Sequence, residues 1–419
     1  ATVTDASNFF AWNAAASGDV VTAPGLWSLD NFGNKLVESF EWDSNPTGAN
    51  NTRATIITSA PTASAFSIVS TPDRHLVFFG TETTVGTKST QDPMFIRFSS
   101  QEDINTYTPS ATNTAGTQRL ADGSKIVGAI RGRDAIYIWT DTALFIMRFV
   151  GPPFTFSFQQ VGTNCGLIGQ NAAVEVDGTA YWMSENGFFR YTGKLESLPC
   201  LVEDHVYDDI NTTPKQHINA GLNNLFGEVM WFYPNAASGT VNRVVAYNYL
   251  DSSPERPVWT TGTLARTAWN DDGETATTDT NYVYGNTDGT STYFEHETGL
   301  NQVKEGQTTA IAASIESGDF DIGQQGLAGD GEFMMKIRRV VPDFLSQTGD
   351  AVVTLNLRDF PNDTQASSTL GPFTISSGTQ KIDTRARARS ISLKVANTST
   401  SQFWRLGTFR LDIQPDGRR

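Results

Sequence analysis

Cysteine is nearly absent: the 419 residues include only two, Cys165 and Cys200. They form no C-x-x-C pair and are too sparse to staple a fold, so a disulfide scaffold is excluded and reduced thiols are expected. Long apolar runs are missing too. No stretch approaches 18 apolar residues, and no basic segment precedes an apolar one at the start, so neither a spanning helix nor a secretory leader is expected. Amphipathic helical periodicity is scarce, which removes helical bundles and coiled coils. Positive charge is in deficit: 30 Lys and Arg face 45 Asp and Glu, a net −15. That balance argues against a surface that grips nucleic acid as a whole. It fits a channel through which DNA slides without sticking, or an acidic surface that keeps a large assembly subunit soluble.

What is abundant points to β-structure. Thr, Ser, Asn and Gly are frequent, aromatics reach 11%, and charged residues only 18%. Four aromatic hairpin-like segments recur: AIYIWTDTALFIMRF (135–149), AVEVDGTAYWMSENGFFRY (173–191), NLFGEVMWFYPNAASGTVNRVVAYNYL (224–250) and TNYVYGNTDGTSTYFEHE (280–297). Each is two short apolar runs joined by a turn of Gly, Asn or Asp. Trp139, Trp182 and Trp231 fall at intervals of roughly 45 residues, the length of one four-stranded propeller blade. A lone hairpin cannot bury its aromatic face, so neighbouring units must cover one another. The expected fold is all-β: a β-propeller of roughly five to seven blades with an additional C-terminal β unit.

The expected domains are a propeller over 1–307 and a second β unit over 308–419, sandwich-like or returning to the ring. Residues 1–50, anchored by Phe9, Phe10, Trp12, Leu26, Trp27, Phe32 and Trp42, supply an N-terminal or closing strand over Leu36–Trp42. STPDR (70–74) reads as a turn, the polar 100–123 stretch as a surface loop for function or partner contacts, and GPPF (151–154) as a blade edge or connection. A short helix is expected within 207–221. Beyond Thr308 six strand-like segments lack the indole spacing.

Candidate sites are few. Arg385, Arg387 and Arg389 alternate with Thr384, Ala386 and Ala388, which places three guanidiniums on one strand face. Such a ladder suits carboxylates of a neighbouring subunit or domain, solvent, or phosphate. Lys336, Arg338 and Arg339 make a weaker cluster. Arg131 and Arg133, flanking Gly132, suit a loop contact with an anion or partner. Glu316, Asp319, Asp321, NDDGE (270–274) and NTDG (286–289) fail the spacing of a calcium loop and read as turns. His205, His217 and His296 sit in separate segments without an H-E-x-x-H or G-x-S-x-G motif, and Cys200 with His205 is only a nominal thiol–imidazole pair. SENGFF (184–189) departs from a sialidase-type turn at Asn186, and no carboxylate pair for glycoside hydrolysis can be selected. No catalytic residue, metal or cofactor is expected.

Three stretches carry a family resemblance: IVGAIRGRDAIYIWTDTALFIMRFVGPPFTFSFQQVGTNCGLIG (126–169), AYWMSENGFFRYTGKLESLPC (180–200) and WRLGTFRLDIQPDGRR (404–419). ATNTAGTQRLADG (111–123) and IESGDFDIG (315–323) continue it, while the first hundred residues match less distinctly. Together they resemble the tail hub proteins (tail nozzle or packaged-DNA stabilisation proteins) of short-tailed bacteriophages. These are strings of packing and turn residues, not a catalytic signature. The resemblance implies a non-enzymatic, mostly β subunit that assembles as a hexamer beneath the portal and its adaptor protein. It also implies a virion-tail location after assembly in the host bacterial cytoplasm, with tail fibres or spikes outside and double-stranded DNA weakly held in the lumen. The alternatives are a propeller adhesin or lectin that binds host glycan, and a propeller glycoside hydrolase.

Overall fold

The computed structural model describes residues 26–33, 35–40, 47–50, 53–71, 73–275, 278–286, 293–304, 306–323, 326–327, 331–360, 362–363 and 366–418. Phe9, Phe10, Trp12 and Trp42, expected as apolar anchors, lie outside them, as does most of NTDG. Strands make up 54% of the chain and helix 4%, so the class is all-β. Two compact units divide it, residues 1–296 and 297–419.

Among the described residues, six antiparallel sheets follow one another in the first unit. Blade one runs Trp27–Phe32, Lys35–Phe40, Thr47–Asn50 and Arg53–Ile56, and blade two Phe66–Ser70, His75–Phe79, Phe95–Phe98 and Gly116–Arg119. Blade three comprises Ile126–Arg131, Ile136–Thr140, Ala143–Gly151 and Thr155–Thr163. Blade four comprises Ala173–Val176, Thr179–Ser184, Gly187–Tyr191 and Leu195–Ser197. Blade five is Asn219–Asn223, Glu228–Tyr233, Arg243–Ser253 and Arg256–Gly262. The sixth has Ala268–Thr275, Thr278–Asn286 and Tyr293–His296. In every blade the strands pair in chain order, and the first strand of each lies against the first strand of the next. That is radial propeller stacking.

The middle strands explain why the sheets stack. A two-sided strand exposes alternate residues to opposite faces, and here both faces are covered. Leu76 and Phe78 enter the core shared with blade one, while Val77 and Phe79 enter the core shared with blade three. Ile136 and Ile138 face blade two, whereas Tyr137 and Trp139 face blade four. Val229, Trp231 and Tyr233 point one way, Met230 and Phe232 the other. Each sheet is thus finished only by its neighbours.

The indoles also stitch blades together by hydrogen bonds. Trp182 Nε1 donates to Cys165 O (2.8 Å), Trp231 Nε1 to Ala172 O (3.0 Å) and Trp269 Nε1 to Leu222 O (2.9 Å). Trp139, equally buried, has no acceptor for its N–H among the described residues. Two glycines set the spacing: a Cβ on Gly128 would lie 2.5 Å from Gln170 O, and one on Gly221 2.5 Å from Trp269 Cδ1. Only a hydrogen fits at either place.

Four expectations change at this level. The strand expected over Leu36–Trp42 begins at Lys35 and is described to Phe40, its expected end at Trp42 lying outside the described residues, and a further strand precedes it at Trp27–Phe32. The 100–123 loop contains the strand Gly116–Arg119 and buries Tyr107. The helix begins earlier, at Glu203–Asp209, with a 3-10 turn at Lys215–His217. The hairpin Asn301–Lys304 and Gln307–Ala310 goes with the second unit, although the rhythm of the sequence changes only near 308.

The second unit is a sandwich. One sheet runs Ser314–Glu316, Ser390–Ala396, Ala351–Arg358 and Ser368–Ile375; the other runs Ile382–Ala388, Met335–Val341 and Arg410–Pro415. Phe344–Thr348 pairs with Phe403–Leu406 beside them. Ala351, Val353, Leu355 and Leu357 alternate into a core shared with Met335, Ile337, Val340, Ala386 and Ala388 from the opposite sheet.

Candidate interaction surface

The three-stranded sandwich sheet turns its other face to solvent. Along Ile382–Ala388, Ile382, Ala386 and Ala388 are buried while Asp383, Arg385 and Arg387 are exposed. Met335–Val341 breaks that alternation. Both pairings shift register between Ile337 and Arg339: against Arg410–Pro415, Arg338 is an extra residue, while Thr384 and Arg385 stand against it on the other side, so Arg338 and Arg339 are both exposed and Val340 returns to the core. Arg410 and Asp412 point outward from the third strand. Lys336, Arg338, Arg339, Arg385, Arg387 and Arg410 therefore share one face, around a shallow depression of about 570 Å³.

Some of these cations are neutralised and some are not. Arg339 Nε lies 2.9 Å from Asp383 Oδ1, and Lys381 Nζ 3.1 Å from Asp383 Oδ2. Hydrogen bonds from Arg339 and Lys381 hold the Asp383 carboxyl below its usual range. Arg387 Nε reaches Asp416 Oδ2 at 2.7 Å. Among the described residues, the side chains of Lys336, Arg338, Arg385 and Arg410 make no ion pair or hydrogen bond. Lys336 sits directly opposite Arg387 across the ladder. Like charges so placed destabilise a strand pair, so nothing in the sheet itself rewards the arrangement.

The three arginines expected as a ladder do not act alike. Arg385 is open, Arg387 is tied to Asp416, and Arg389 is not on the strand, which ends at Ala388. Arg389 donates to Asp359 O (3.1 Å) and to Gly331 O, fastening a bend. Arg131 is likewise engaged within the propeller: its Nη1 lies 2.8 Å from Asp30 Oδ1, and Asp30 Oδ2 accepts the Val69 N–H (2.8 Å). The inner strands of blades one, two and three meet there. Arg133 stands exposed in the following turn. Arg410 was missed in the sequence, although RLDIQP alternates charged and apolar residues. The double arginine in KIRRVV was the visible trace of the bulge.

The remaining candidates resolve into structural roles. Glu316 accepts hydrogen bonds from Ser392 Oγ and Asn356 Nδ2 (both 2.6 Å), which lower its pKa, and Asp319 pairs with Arg358 at 3.0 Å. Burial pushes the Cys200 thiol up to about 11, away from a reactive thiolate, and His205 is exposed. His296 accepts from Arg266 Nε at 2.8 Å; burial and that guanidinium push its pKa down to about 4. Beyond Asn270, the side chains of NDDGE lie outside the described set. Among the described residues no three His, Cys, Asp or Glu cluster for a metal ion. A cavity of about 610 Å³ opens beside the starts of the second and third blades, lined by Lys125, Asp141, Gln170, Glu185 and Lys215 among others. Lys215 and Glu185 pair there.

No protein-family model and no curated protein matches this chain. Solved structures similar to it include the AfRom2 CNH domain, at 11% identity and TM-score 0.34, covering 70% of this chain and 88% of that one. Apo AztD from Citrobacter koseri gives 10% identity and TM-score 0.30, over 56% of this chain and 75% of that one. The GH43 protein BlXynB from Bacillus licheniformis gives 13% and 0.26, over 92% and 88%. At such scores these likenesses carry no argument about activity.

Proposed function

We propose that this chain is a structural ring subunit, a tail hub that extends a portal–adaptor channel, retains packaged double-stranded DNA and conducts it on ejection. The observation that carries the reading is the solvent-facing cationic sheet of the sandwich, on which Lys336, Arg338, Arg385 and Arg410 have no counter-charge among the described residues. A closed ring needs complementary patches repeated from subunit to subunit, and such a face is one half of a patch. The sequence strings behind the resemblance fall on both units: 126–169 covers blade three and its exit, 180–200 falls in blade four and its exit, and 404–419 covers the last sandwich strands. In this reading the partners are further copies in a hexamer, an adaptor protein, tail fibres or spikes, and weakly held duplex DNA. The role is non-enzymatic and belongs to the virion tail, after assembly in the host cytoplasm.

Cryo-EM of assembled tails tests the reading. A sixfold ring of this chain around a continuous lumen supports it, and an isolated monomer with an occupied cleft defeats it. The cavity beside blades two and three favours a second reading, a glycan-binding propeller. Strong glycan-array hits abolished by Asp141→Ala and Gln170→Ala together would put that reading first.

A further inference from the structure

We infer that the cationic sandwich sheet receives the acidic propeller unit of a second copy of this chain, a contact that rests on the ring reading and specifies how one copy meets the next. Charge divides sharply between the two units. Residues 297–419 hold 14 Lys and Arg against 14 Asp and Glu, whereas residues 1–296 hold 16 against 31. The whole net −15 therefore belongs to the propeller unit, while the sandwich, neutral in sum, gathers six cations on one sheet face.

Two features choose a protein partner over nucleic acid. Asp383 and Asp412 are interleaved with the cations, directly opposite Arg339 on either side. A phosphate backbone offers one sign of charge and would meet both carboxylates with repulsion, whereas a protein surface can set a Lys or Arg against each. The propeller's own excess acid would repel duplex as it approached. The patch also lacks large apolar side chains, so its contact is electrostatic, fast to form and sensitive to salt. Arg338, Arg385, Arg410 and Lys336, open in the isolated chain, are the groups that gain counter-charges.

The full chain tests this directly. Equal amounts of unlabelled and ¹⁵N-labelled protein are mixed and treated with a carbodiimide, which couples amines to carboxylates only in direct contact. The expected result is heavy–light peptides joining Lys336 to Asp or Glu residues numbered below 297. Self-association without such peptides, or a chain monomeric at every concentration and salt, overturns the contact. Arg338→Glu with Arg385→Glu, both exposed, should weaken self-association by about tenfold or more while circular dichroism stays unchanged. High salt should do the same to the native chain. Unaltered association of the double variant overturns the proposal, and so does nanomolar duplex binding that the double variant loses. A sixfold tail ring with these faces open would remove this contact and leave the ring reading standing; absence of any ring would remove both.

Discussion

The propeller unit and the sandwich unit place their chemistry in opposite locations. The propeller puts its aromatic residues between sheets, where Trp139, Trp182 and Trp231 are wholly buried, and leaves its acid excess outside any cluster that would hold a metal among the described residues. The sandwich fills its core with small and aliphatic residues, Ala351, Val353, Leu355, Ala386 and Ala388, and gathers six cations, with Asp383 and Asp412 among them, on one sheet face. One region spends its distinctive side chains on cohesion, the other on a surface. Changes in the first should therefore be read in stability, and changes in the second in association.

The comparison would break first at the indoles. Trp231→Ala is expected to cost about 3–5 kcal/mol, from lost burial plus a cavity between two blades, measured by urea denaturation. A loss below about 1 kcal/mol would mean the blades do not depend on that contact. A finer version separates packing from hydrogen bonding. Trp182→Phe leaves Cys165 O without its donor and should cost about 1–3 kcal/mol more than Trp139→Phe, whose indole N–H has no acceptor among the described residues. Equal losses would remove the stitching role.

The sixth blade adds a pH signature. His296 has its pKa at about 4 in the fold against 6.5 when free, so the unfolded chain binds the extra proton between these values. Stability is fully present above 6.5 and falls as pH drops towards 4, by on the order of 1–2 kcal/mol given the partial exposure of the ring. His296→Gln should flatten that part of the profile, and an unchanged slope would contradict the assignment. The smallest effect belongs to the sandwich: Arg385→Ala should shift stability by less than about 0.5 kcal/mol. A larger loss would show that the residue serves the fold.

Much of the propeller was legible because its middle strands are aromatic and its turns carry Gly, Asn and Asp. Indole spacing gave the blade length. Thr47–Asn50, Arg53–Ile56 and Gly116–Arg119 were invisible for the same physical reason in reverse: TGAN, RATI and GTQR carry almost no apolar pattern, and their pairing is set by the neighbouring strand. On the sandwich, period-2 spacing placed Arg385 and Arg387 correctly on one face. It failed for Arg389, because the strand ends one residue earlier and the guanidinium turns to backbone carbonyls. The bulge at Arg338 could not be read from spacing, since an inserted residue resets the alternation it interrupts. Whether a cation is open or paired depends on groups distant in sequence, as with Arg131 and Asp30 or Arg387 and Asp416.

The most direct test of this division of labour is a cryo-EM map of the assembled particle, sharp enough to place side chains on the Met335–Val341 and Ile382–Ala388 strands. The account predicts Lys336, Arg338 and Arg385 buried against carboxylates from the propeller of an adjacent copy. Those three side chains facing open solvent in every copy would contradict it.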